Sequence, residues 1–288
     1  REYGTRDLSG CWYAGQCPLI DDGKAIIAPA GTNVMMIAVS CESGEVLWEA
    51  PNRHGWRMSH ASILPVTLAG TKMYVYAAVG GITAVGAEGD LAGSVLWETD
   101  AWTSAVLMPS PVALGNDELF FTSGYDGGSA LIKVVRDDEG FRPEIVYSYT
   151  GKRKSRDCFS TYQHTPIYFK EHLFGIQSNS ARKHKLEFVC VDPRAPGGRI
   201  VWGSGADTDF TSPKKREAWG PYILADDKFY VMGDTGLLAM FKADTVDCQK
   251  LGEWQLLDDG HEVWGPMAIV DGCLFVRDYS RLVCFDLR

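Results

Sequence analysis

Once in every stretch of about fifty residues, this chain places an aromatic ring shortly ahead of a proline: Trp12, Trp56, Trp102, Tyr162, Trp219 and Trp264. His60 and His164 stand in two of these segments, and Asn33, Asp126, Arg182, Asp234, Asp278 and Arg281 recur in step with them elsewhere. Flat rings with a few charges among them suit a planar cofactor, a sugar or a peptide. The same rings could instead close a channel mouth by packing on one another, so both readings stand at this level. Asp278 and Arg281, three apart in a turn-like stretch, predict a local salt bridge.

Other chemistry finds little support. The histidines His54, His60, His164, His172, His184 and His261 never form H-E-x-x-H, so no metal site is predicted. A His-carboxylate site assembled from separate repeats is the remaining route to one. No G-x-S-x-G elbow or phosphate loop occurs, and Gly124-Tyr125-Asp126-Gly127-Gly128 reads as a hairpin turn. Eight cysteines include no C-x-x-C. Cys11 and Cys17 are close enough in sequence to pair, while Cys190 and Cys284 fall at matching points of two repeats and are expected to be small buried hydrophobes.

The elements that must position these residues follow from two repeated phrases. One ends in an aromatic: Ser43-Gly44-Glu45-Val46-Leu47-Trp48, then Gly93-Ser94-Val95-Leu96-Trp97, with weaker copies ending at Tyr147, Trp202 and Trp254. The other is a proline leading into an apolar run, at Pro18, Pro65, Pro111, Pro166, Pro221 and Pro266. Internal repetition at this period marks an array, a solenoid or a propeller. Apolar runs broken at Asp22-Gly23, Gly70-Thr71, Asn116-Asp117, Lys170-Glu171, Asp226-Asp227 and Asp271-Gly272 read as hairpins.

Two further strands complete each unit, the last ending in the aromatic, and no helical stripe persists between them. Four antiparallel strands per repeat make the blade of a β-propeller. The expected fold is therefore all-β, a single domain over 1–288 with blades near 11–51, 52–100, 101–150, 151–205, 206–258 and 259–288. The last blade stops after its third strand, and the pattern leaves room for more blades upstream. Trp48, Trp97, Tyr147, Trp202 and Trp254 are expected to dock structurally on the neighbouring blade.

A net charge of −9 argues against a nucleic-acid partner, and the short basic cluster Lys152-Arg153-Lys154 with Arg156 reads as a solvated loop. No apolar run reaches the length that spans a membrane as a helix.

The segment Ala38-Val39-Ser40-Cys41-Glu42-Ser43-Gly44-Glu45-Val46-Leu47-Trp48 resembles the tryptophan-docking motif of pyrroloquinoline-quinone-like propellers. His60-Ala61-Ser62-Ile63-Leu64-Pro65, Ser123-Gly124-Tyr125-Asp126-Gly127-Gly128-Ser129 and Gln163-His164-Thr165-Pro166 are similar to bacterial quinone-binding-like repeat proteins. The resemblance implies a periplasmic or cell-surface protein. It also implies a choice between two activities: a non-catalytic binding or scaffolding module whose aromatic axial face takes a protein or glycan, or a quinoprotein alcohol or sugar dehydrogenase holding the quinone with calcium. The adjacent-cysteine pair usual in those dehydrogenases does not occur here, and the docking motif has Ser40 where Asp is usual. The binding module, without cofactor, is therefore the expected function.

Overall fold

The computed structural model describes residues 3–5, 15–149, 158–161, 163–178, 186–205, 220–258 and 263–288. Its strands form six sheets in chain order, each an antiparallel meander of consecutive strands. The first contains β1 (Leu19–Asp21), β2 (Lys24–Ile27), β3 (Val34–Ser40) and β4 (Val46–Pro51). The second contains β5 (Leu64–Leu68), β6 (Thr71–Ala78), β7 (Gly81–Gly86) and β8 (Val95–Thr99). The third contains β9 (Val112–Gly115), β10 (Glu118–Ser123), β11 (Gly128–Asp137) and β12 (Gly140–Tyr149).

The fourth sheet contains β13 (Ile167–Phe169), β14 (His172–Ser178), β15 (Leu186–Asp192) and β16 (Arg199–Gly203). The fifth contains β17 (Tyr222–Ala225), β18 (Lys228–Met232), β19 (Leu237–Lys242) and β20 (Lys250–Gln255). The sixth has three strands: β21 (Ala268–Val270), β22 (Cys273–Arg277) and β23 (Leu282–Asp286).

The turn joining the first two strands of every sheet has two consecutive residues at positive φ, from Asp22 and Gly23 (48° and 71°) to Asp271 and Gly272 (50° and 74°). That left-handed pair is what a two-residue hairpin needs to match the strand twist, and Asp, Asn and Gly supply it at least cost. In the second sheet the pair is Ala69 and Gly70, one residue earlier than the expected Gly70-Thr71. Pro65 is likewise displaced: it lies inside β5, whereas Pro18, Pro111, Pro166 and Pro221 stand immediately before a first strand.

Side chains alternate between the faces of each sheet, and both faces of the inner sheets are apolar. In β10, Leu119 and Phe121 pack against Met73 and Val75 of the second sheet, while Phe120 packs against Leu173 and Val189 of the fourth. Five apolar clusters of this kind join consecutive sheets. Among the described residues none joins the sixth sheet to the first. The outward face of the sixth sheet is bare: Val270 is 55% and Leu282 72% exposed. Cys284 lies on this face and is exposed, contrary to the expectation that it is buried like Cys190. The two cysteines do hold the same register position, opposite Phe275 and Phe174 respectively, but only Cys190 has another sheet in front of it.

Each four-stranded sheet carries a β-bulge between its third and fourth strands. In the first four, the aromatic of the repeated phrase sits at the bulge: Trp48 opposite Ala38, Trp97 opposite Ala84, Tyr147 opposite Leu131, Trp202 opposite Cys190. Each reaches the next sheet. Trp48 stacks on Tyr74 at 6.2 Å and Trp97 lies in the cluster shared with the third sheet. The Tyr147 hydroxyl donates to the Pro193 carbonyl at 2.6 Å, and Trp202 Nε1 donates to the Asp244 carbonyl at 3.0 Å. The fifth sheet departs from this pattern. Gly252 occupies the bulge position opposite Met240, and Trp254 is two residues further along, opposite Leu238. The indole folds back over Gly252, where an added Cβ would lie 2.6 Å from it.

Candidate functional site

The segments leading into the first strands and the loops between second and third strands meet at one end of the sheets. Backbone bonds tie Arg57 to Val79 and Asn52 to Asn33, and the Asn52 amide donates to the carbonyls of Gly31 and Trp56, both at 2.8 Å. Ser123 Oγ donates to the Val106 carbonyl at 2.5 Å, and Val263 N–H to the Asp234 carbonyl at 3.3 Å. The described residues among those picked out from the sequence lie in these segments and loops, but they differ in what they can offer a ligand.

Trp56 lies flat over the backbone of Gly80 and Gly81, positions where any side chain would strike the indole. Its other face carries His54, stacked at 4.6 Å with Nε2 3.3 Å from the Glu98 carboxylate. Trp264 is half exposed. Trp102, by contrast, is buried in the core between the second and third sheets, 6.1 Å from Phe121, with no partner for its indole N–H. It packs; it offers no surface. Trp12, Tyr162, Trp219 and Arg182 lie outside the described residues, as do Cys11 and the basic cluster at 152–156.

The polar residues divide in the same way. His60 Nδ1 accepts the Gly15 N–H at 3.1 Å, while its own backbone N–H donates to Leu107. His164 lies 5.7 Å from the Tyr222 ring, and burial pushes its pKa down to about 4, so the imidazole is neutral near pH 7. Asp126 follows Tyr125 in a left-handed turn, with φ of 60° and 56°. Asp234 is buried.

Asp278 is buried and turned inward on its own loop. Its carboxylate accepts from Arg281 Nε at 3.0 Å and Nη2 at 2.6 Å, and from the backbone N–H of Ser280 and Arg281. The guanidinium, then the Ser280 N–H, hold its pKa down to about 2. These contacts shape the β22–β23 loop.

A relay of hydroxyls joins the first four sheets at the same end. The residue two before each first strand donates its N–H to the side chain of its counterpart in the next sheet. Cys17 donates to Ser62 Oγ at 3.2 Å, Ser62 to Ser110 Oγ at 3.0 Å, and Ser110 to Thr165 Oγ1 at 2.9 Å. Gly220 is the next counterpart and has no hydroxyl, so the relay stops there. Its sequence signal is a Ser or Thr two residues ahead of the first strand, a fainter mark than a ring or a charge.

Among the described residues, no three His, Cys, Asp or Glu side chains converge as a metal-binding group. Asp278, an acid of the axial set, is already occupied by Arg281. Two clefts among the described residues lie elsewhere. One, of about 630 Å³, is lined by Tyr3, Ile37, Val39, Gly44, Glu45 and Val46 on the first sheet. The other, of about 600 Å³, opens between the fifth and sixth sheets beside Trp254. Neither is lined by an axial candidate.

No family model matches the chain, and no curated protein matches it. Solved structures do. A quinohemoprotein alcohol dehydrogenase from Comamonas testosteroni aligns over 95% of this chain at 12% identity and a TM-score of 0.53; the chain spans 52% of that protein. A protein described as a candidate 6-phosphogluconolactonase from Bacteroides uniformis aligns over 95% of this chain and 86% of its own length, at 11% identity and a TM-score of 0.56. The fold is a β-propeller. BamB from Moraxella catarrhalis also aligns, over 94% of this chain and 84% of its own at 12% identity, with a TM-score of 0.47 that carries no further weight. Each sheet is then a blade, and the loop-bearing end is one face of the wheel. At these identities the likeness extends to the fold alone. No helix among the described residues is long and apolar enough to cross a membrane.

Proposed function

We propose that this propeller is a non-catalytic binding or scaffolding module, periplasmic or at the cell surface, whose aromatic loop face takes a protein or glycan partner. The observation that carries the reading is Trp264, which stands half exposed in the segment leading into the first strand of the sixth blade. Rigid amphipathic rings give large contact area at low entropic cost, which is what carbohydrate and peptide surfaces require. The polar groups around them support the same reading. His164 packs against the Tyr222 ring and Asp278 is held by Arg281, so both are engaged within the fold.

Calorimetry with peptidoglycan fragments, oligosaccharides and peptides tests the proposal. Trp264→Ala is expected to weaken any detected binding by about 1–2 kcal/mol without altering the melting temperature. Binding that is indifferent to Trp264→Ala and Trp56→Ala overturns it. So does tight uptake of quinone and calcium with turnover of an alcohol or sugar, which would establish the dehydrogenase instead.

A further inference from the structure

Most guanidinium groups of this protein are paired within the fold, and the two exceptions stand beside the loop tryptophans. Asp and Glu outnumber Lys and Arg by 37 to 28, so an acid is seldom far from a base. Among the described residues, Arg142, Arg194, Arg199, Arg281 and Arg288 each lie 3.6 Å or less from a carboxylate oxygen. Arg53 reaches Glu98 at 3.9 Å, and Arg136 lies over the Phe141 ring and donates to the Thr71 hydroxyl. Arg57 and Arg277 are exposed, and among the described residues theirs are the guanidinium groups with neither a hydrogen bond nor an ion pair.

Both are held next to a ring. Arg57 follows Trp56, and its backbone exchanges two bonds with Val79, at 3.0 and 2.9 Å. The Asn52 amide fixes the Trp56 backbone from the other side, accepting its N–H at 3.1 Å and donating to its carbonyl at 2.8 Å. His54, stacked on Trp56, presents the exposed ring of this pair. Arg277 ends β22, and its side chain crosses Gly265, where an added Cβ would lie 2.7 Å from Cδ. Gly265 adjoins the half-exposed Trp264, and Tyr279, 78% exposed, stands two residues beyond Arg277. The intervening Asp278 is already held by Arg281. Each station thus joins a flat ring to an unpaired guanidinium. A guanidinium pairs with carboxylate through two parallel hydrogen bonds, and a ring takes an apolar face. A uronic sugar offers both, one carboxylate and one apolar C–H face per residue.

We propose that the partner of the aromatic loop face is a carboxylated glycan, an oligosaccharide of uronic acids. Arg57 and Arg277 each take a carboxylate, while the adjoining ring, His54 or Trp264, takes the sugar face. The inference rests on the binding-module reading and adds to it the chemical class and charge of the partner.

The probes are tetragalacturonate and its methyl ester, which share a backbone and differ in charge, titrated against the whole chain by calorimetry at low and physiological salt. Saturable binding of the acid form is expected, weakening as salt rises, with the ester bound about tenfold more weakly. Arg57→Met and Arg277→Met should each weaken binding of the acid form about fivefold, leave the ester unaffected and melt with the unmodified protein. Equal binding of acid and ester overturns the proposal and leaves the loop-face reading in place. Failure of the acid form to saturate into the millimolar range also overturns it, and the loop-face reading falls with it only if neutral oligosaccharides and peptides fail as well. A lowered melting temperature in either arginine variant overturns it too, since an acid of the chain itself would then be holding that guanidinium.

Discussion

His164 and Asp278 come from the same pattern in the sequence, yet they respond to acid in opposite ways. Burial lowers the imidazole pKa to about 4, against an ordinary value near 6.5. Between those values the unfolded chain binds a proton that the folded one refuses, so stability falls as pH drops from about 6.5 to about 4. Asp278 is an acid with its pKa lowered to about 2 by Arg281. Its contribution is complete above the ordinary carboxylate value and is lost only as pH falls from about 4 toward 2. Asp21 and Asp244, also lowered by lysine or backbone partners, join it in that lower range. Urea midpoints across pH should therefore separate the two groups. His164→Gln is expected to flatten the slope between about 6.5 and 4, while Asp278→Asn lowers stability near neutrality and leaves that slope in place. An unchanged upper slope in His164→Gln would place the imidazole in water.

At the scale of the element, the bulge between third and fourth strands decides what a repeated tryptophan does. Trp202 sits at its bulge, is 9% exposed and donates its indole N–H into the fifth blade. Trp254 ends the same sequence phrase two residues past its bulge and is 47% exposed. Truncating a buried indole costs about 3–5 kcal/mol, and removing a half-exposed one about 1 kcal/mol. Trp202→Ala should thus lower the denaturant midpoint several times further than Trp254→Ala, at similar m-values. Equal losses would mean that the bulge register has no energetic consequence.

The hairpins were legible for a related reason, since Asp-Gly and Asn-Asp pairs declare the left-handed turn they must adopt. Trp254 was not, because the marker of the bulge in that blade is Gly252, whose missing side chain gives the eye nothing to align. Trp102 looked like Trp264 because spacing fixes which loop a ring comes from and leaves open which way the loop turns it. The Ser62, Ser110 and Thr165 relay escaped for the opposite reason: small hydroxyl residues before a strand are common, and only the fold brings successive ones within hydrogen-bond reach.

Across the whole molecule each inner blade shares an apolar cluster with two neighbours, while the sixth shares one among the described residues. In an array built this way, stability is a sum over blades and the interfaces between them. Cys190 and Cys284 report on that difference from one register position. Cys190 is fully buried, and burial pushes its thiol up to about 12, with Asp244 and Asp192 adding to the shift. Cys284 lies on the bare face of the sixth sheet. Modification needs a thiolate that the reagent can reach. Maleimide should accordingly label Cys284 in buffer, whereas Cys190 should react only once denaturant opens the fourth and fifth blades. The test is peptide mapping by mass spectrometry at increasing urea. If Cys284 also stays unlabelled until global unfolding, then something covers the outward face of the sixth sheet in solution.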